Sequence, residues 1–125
     1  MKTAIKQYEI NGVHQFTEED TYNEGCQPNS GNSGFLSHIK IKADTVEELI
    51  KKLFSELCFK YDKDAMELDA CDEDGRIDIS VMEDENGSEA TASELKAWKE
   101  GNKRLWSGIY TAHVELVERQ TVSVR

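Results

Sequence analysis

Carboxylates spaced around a central glycine are the pattern of a calcium-binding loop, and DACDEDGRIDISVME (69–83) comes near it. Gly75 fits the required sixth position and puts Asp72 and Asp74 at the third and fifth. The first position is then Ala70 and the twelfth Val81, so the first ligand and the bidentate glutamate are missing. A turn explains the glycine better. Asp62, Asp64, Glu83, Asp84 and Glu85 form a second acidic group, a weaker place for a cation. No metal or other cofactor is expected.

A cysteine and a histidine on one sheet face could make a nucleophile, and Cys71 with His38 or His113 is the pair on offer. Exposed polar positions of a sheet account for these residues more simply. Gly-rich phosphate loops, H-E-x-x-H and G-x-S-x-G do not occur. The expectation is a protein that is not an enzyme, with a small cysteine-dependent enzyme as an alternative.

Charge is the feature that remains. Residues 61–100 hold fourteen Asp and Glu against Lys63, Arg76, Lys96 and Lys99, which alone equals the whole-chain excess of −10. Such a field repels nucleic acid and anionic membrane surfaces and attracts basic protein surfaces. Trp98, Trp106 and Tyr110 therefore read as core aromatics rather than a base-stacking platform. Three cysteines without paired spacing argue against disulfides and zinc and fit a reducing cytoplasm. MKTAIKQYEINGVHQF lacks the apolar run of a signal peptide, and no stretch reaches the ~18 apolar residues of a membrane span.

The elements that position these groups fit one domain over 1–125. Asn11-Gly12, between AIKQYEI and VHQF, predicts an N-terminal hairpin over 1–16. Residues 17–34, dense in Gly, Ser and Asn, read as a long polar loop that a partner could order. The α+β core spans 35–118. In Phe35–Ala43, alternation puts Phe35, Ser37, Ile39, Ile41 and Ala43 on one side. Asp44 or Thr45 caps a helix whose apolar face is Val46, Leu49, Ile50, Leu53, Phe54 and Leu57. A second hairpin turns at Asp72–Gly75, with Ile77, Ile79 and Val81 toward that helix. Ser93 caps a short helix ending at Gly101, and Leu105–Glu118 is a long strand. The order strand, helix, strand, strand, helix, strand predicts an antiparallel sheet with helices on one face, ferredoxin-like βαββαβ plus the extra hairpin.

On that plan Asp72, Glu73 and Asp74 gather at one hairpin tip, and Asp62, Asp64, Glu83, Asp84 and Glu85 at the open end. Glu67, Asp69 and Asp78 lie on the outward face between, diluted by Arg76. DNA carries a phosphate about every 3.4 Å along each strand. Same-face side chains on a β-strand recur only every ~6.6 Å, so a DNA mimic would need both strands and their turns. A partner surface with discrete acidic contacts is the better expectation.

LDACDEDGRIDISVMEDENG, followed by W-x-x-G and LWSGIYTAHVEL in a small acidic chain, resembles proteins carried by phages and plasmids. In type it is similar to anti-CRISPR proteins that block guide-RNA complexes. These share no common motif, so no site residue carries over. The resemblance implies a CRISPR effector as partner, bound on a basic surface, with loss of target-DNA binding and no direct contact with nucleic acid. An immunity protein or antitoxin neutralising a basic nuclease would use the same charge.

Overall fold

A computed structural model describes residues 2–20, 31–69 and 74–122. Among these residues five strands form one sheet: β1 (Lys2–Asp20), β2 (Gly31–Ala43), β3 (Met66–Asp69), β4 (Asp74–Glu83) and β5 (Leu105–Val122). Their order is β2-β1-β5-β4-β3, with every neighbouring pair antiparallel. Two helices complete the α+β fold, α1 (Val46–Glu56) and α2 (Ala92–Lys99).

Asn11-Gly12 does not turn the chain. β1 runs through it as one strand, with β2 on one side and β5 on the other. Gly12 sits at φ +89° in a bulge, and the pairing slips there against both neighbours. Positive φ suits a bulge glycine as well as a tight turn, and strands on both flanks favour the bulge. Within the expected 17–34 loop, residues 17–20 and 31–34 belong to β1 and β2, with Thr17 paired to Asn32 and Glu18 to Gly31. Residues 21–30 lie outside those described.

The bulge also corrects the alternation expected in β2. Asn11 pairs with Lys40 but Val13 pairs with Leu36, so Ser37, His38 and Ile39 stand opposite Gly12 alone. Extra residues on one strand change which face later side chains occupy. Ile39, Ile41 and Ala43 are buried as expected, whereas Phe35 is turned out.

Thr45 caps α1, its Oγ1 accepting the Glu48 N–H at 3.2 Å. Leu49, Ile50, Leu53 and Phe54 recur at helical spacing and pack on the sheet. The helix closes with Phe59 N–H donating to the Phe54 carbonyl at 2.9 Å. That closure puts Cys58 at φ +61°, a left-handed position usually held by glycine. Facing α1, the core takes Ile10 and Val13 from β1, Ile77 and Ile79 from β4, and Ala112 and Val114 from β5.

α2 starts two residues earlier than Ser93 suggested. Thr91 is the cap, in a reciprocal box with Glu94: Thr91 Oγ1 accepts the Glu94 N–H and Glu94 Oε1 accepts the Thr91 N–H, both at 3.1 Å. The backbone bond from Thr91 is the main reason the Glu94 carboxyl titrates below its usual range, with Lys103 adding to it. Gly101, at φ +78°, follows the helix end as expected. α2 buries no residue fully, so α1 alone among the helices supplies the core.

The element order after Phe35 runs as read, but the sheet is not wound in ferredoxin-like order. A split βαβ unit sets one strand between the two that it joins. Here β2 and β3, joined through α1, are the two edges, with β1, β5 and β4 between them. The reason is β1, which lies between β2 and β5 and pairs with β5 from Lys2–Val122 to Asp20–Leu105, so that β5 takes the central place.

Candidate functional site

Among the described residues the face of the sheet away from α1 is open, and its side chains form a row across all five strands. Glu67 on β3 stands opposite Asp78 on β4, Asp78 opposite Thr111 on β5, Thr111 opposite His14 on β1, and His14 opposite Phe35 on β2. Charge lies at one end of the row and an aromatic ring at the other.

At the charged end, Arg76 Nε donates to Asp78 Oδ2 at 3.0 Å and its Nη2 to Asp69 Oδ2 at 3.2 Å. Thr111 Oγ1 donates to Asp78 Oδ1 at 2.7 Å. Asp78 is thus held from two sides. Arg76 cancels part of the negative field and interrupts any continuous line of carboxylates. Glu67 and Asp64 are exposed beside this network and line a shallow depression of about 480 Å³ whose far wall is Ile109.

At the other end Phe16 pairs with Ile109, and both are exposed, at 39% and 41%. Phe35, at 52%, packs against His14 with ring centroids 4.8 Å apart. These side chains line a second depression of about 470 Å³, which shares Ile109 with the first. The histidine that meets His113 is His14, at 6.1 Å between centroids, rather than His38 on the edge strand. Cys71 lies outside the described residues.

A scan against protein-family models finds no match, and comparison with curated proteins and with solved structures finds none either.

The expected acidic contacts separate in the structure. Glu67, Asp69 and Asp78 occupy the open face as the pattern required. Asp62 caps a single 3₁₀ turn, its Oδ1 accepting the Asp64 N–H at 3.0 Å. Asp84 Oδ1 accepts the N–H groups of Asn86 and Ser88 and so shapes its own turn. Glu85 is exposed. Asp72 and Glu73 lie outside the described residues, as does the side chain of Asp74. Among the described residues no three His, Cys, Asp or Glu come together to hold a metal ion. No helix among them is long and apolar enough to cross a membrane.

Glu83 is not a surface contact. It continues the inward series Ile77, Ile79, Val81 and is only 2% exposed. Tyr110 Oη donates to its Oε1 at 2.5 Å, and Gln15 Nε2 donates to Tyr110 Oη at 3.1 Å. Burial pushes the Glu83 carboxyl up despite the Tyr110 bond, and neighbouring Asp84 pushes the same way. Tyr110 is also raised, first by burial and then by its bond to Glu83. Gly108 makes room for this group, since a side-chain carbon there would collide with Glu83 Oε2. Strand parity carried the signal for Glu83. Nothing local marked Phe35.

Proposed function

We propose that this chain is a non-enzymatic binding protein that docks its open sheet face on a basic protein surface. In doing so it inhibits a nucleic-acid-binding protein or complex, as anti-CRISPR proteins do. The observation that carries the reading is the union of exposed carboxylates and exposed apolar side chains on one unpartnered sheet face. Isolated exposed apolar residues are ordinary, but a cluster rimmed by polar groups marks an interaction site. The net charge of −10 steers basic partners toward the chain and repels nucleic acid. Arg76, set between Asp69 and Asp78, speaks for a contact with protein rather than a copy of a phosphate backbone. The exposed free thiol of Cys58 suits action in a reducing cytoplasm.

Affinity capture from a host lysate, followed by DNA-binding assays of the captured protein with and without this chain, tests the reading. Capture of a CRISPR effector or another nucleic-acid-binding complex that then loses its DNA supports it. Capture of a nuclease toxin would assign the immunity-protein role instead. Failure to bind any basic protein ends both.

A further inference from the structure

Acidic steering does not account for Phe16, Phe35 and Ile109. An open face of an antiparallel sheet ordinarily carries polar side chains, yet these three line one depression there. Phe35 is fixed rather than loose. Its ring lies across Gly12, where any side-chain carbon would collide with it, and its flank rests on His14. The carboxylate-lined depression beside it shares Ile109 as a wall. An apolar seat and an acidic seat therefore adjoin, one side chain apart.

We propose that this face receives a basic amphipathic segment, a helix with an apolar side chain on one turn and Arg or Lys one to two turns away. This names the chemistry of the partner and rests on the function proposed above. The apolar side chain enters between Phe16, Phe35 and Ile109, and the cation meets Glu67 and Asp64. Glu67 on β3 and Ile109 on β5 are two strands apart and two residues offset in register, since Glu67 faces Asp78 and Ile109 faces Ser80, a separation of roughly 12 Å. Two helical turns advance about 11 Å, which matches that separation. Charge complementarity selects this occupant. A second copy would set Glu67 and Asp64 near the same carboxylates, and nucleic acid would bring phosphates to them. Arg76 keeps Asp69 and Asp78 in place and leaves Glu67 and Asp64 to face the incoming cation.

A synthetic helical peptide with a Leu stripe and Arg two turns away, titrated into isotope-labelled protein, tests this against a scrambled peptide and oligoarginine. The Leu–Arg peptide should bind at least about tenfold more tightly than either control, with the largest resonance shifts at His14, Phe16, Phe35 and Ile109. Phe35→Ser with Ile109→Thr should remove that preference. Glu67→Gln with Asp64→Asn should weaken binding and flatten its salt dependence. Should the double apolar variant lose its dispersed spectrum, Ile109→Thr alone gives the same reading. Equal binding of the scrambled peptide, or shifts elsewhere, would overturn the proposal, and so would self-association through these residues. The titration needs no cellular partner. A chain that binds the peptide but inhibits no nucleic-acid-binding protein loses the proposed function and keeps this inference. One whose Phe35→Ser, Ile109→Thr variant inhibits as well as the native chain does the reverse.

Discussion

The ring of Phe35 on β2 lies directly over Gly12 on β1, so that the missing side chain of one residue is the shelf for the other. The same glycine, at φ +89°, makes the bulge that turned Phe35 outward. One position thus sets both the direction and the support of the most exposed aromatic side chain on the open face.

Gly12→Ala should destabilise the protein by roughly 2–4 kcal/mol, combining the cost of a left-handed alanine with the collision against the ring. Phe35→Ala alone should cost under ~1 kcal/mol, because the ring is half exposed. In the double variant part of the Gly12→Ala loss should return, leaving the backbone share. Urea unfolding of the four proteins measures this coupling, and strict additivity would separate the two residues.

Glu83 makes stability depend on pH. Burial favours its protonated form, so the folded chain holds this proton more tightly than the unfolded chain. Its contribution is complete below the ordinary carboxylate range. It declines as pH rises from that range through the raised value, and is lost above it. Glu83→Gln keeps an acceptor for Tyr110 and should remove this decline, leaving the variant more stable than the native chain at the alkaline end. Glu94 works in the opposite direction, adding stability that fades as pH falls through its lowered value. Unfolding curves from pH about 4 to about 8 should therefore lose a downward slope in Glu83→Gln. An unchanged profile would mean that Glu83 ionises freely in the fold.

Cys58→Gly should stabilise the chain by about 1 kcal/mol, because the helix closure at this position demands left-handed backbone. Cys58→Ala, which keeps the strain, serves as the control for loss of the thiol. Thermal unfolding with both variants indistinguishable from the native chain would contradict the assignment.

Arg76→Gln should change stability by under ~1 kcal/mol, since its ion pairs are exposed. It should raise the association rate with a basic partner and steepen its salt dependence, because Asp69 and Asp78 then lose their counter-charge. Stopped-flow mixing with the captured partner or the Leu–Arg peptide reads this. A slower association would make Arg76 itself a contact.

Where a feature depends on neighbours within a few residues, the chain announced it. The α1 face, its Thr45 cap, the β3–β4 pairing and the stop at Gly101 are of this kind. Asn11-Gly12 reads as a turn because a tight turn and a bulge ask the same φ of glycine. Only β5, about a hundred residues away in the chain, decides between them. Simple alternation puts Phe35 on the side of Ile39 and Ile41, and it fails across the extra residues opposite Gly12. The charge of Glu83 suggests the surface, while its parity with Ile77, Ile79 and Val81 points inward, and parity prevails.

Sequence alone settled an α+β chain, one amphipathic helix and a stretch over residues 61–100 that carries the net charge of −10. Those follow from local periodicity and from charge, which acts at long range whatever the strand order. Tertiary structure alone decided that β1 lies between β2 and β5, that Glu83 is inside, and that an apolar strip borders the carboxylates. Each of these depends on which distant strand pairs with which, and a single bulge is enough to exchange the two faces.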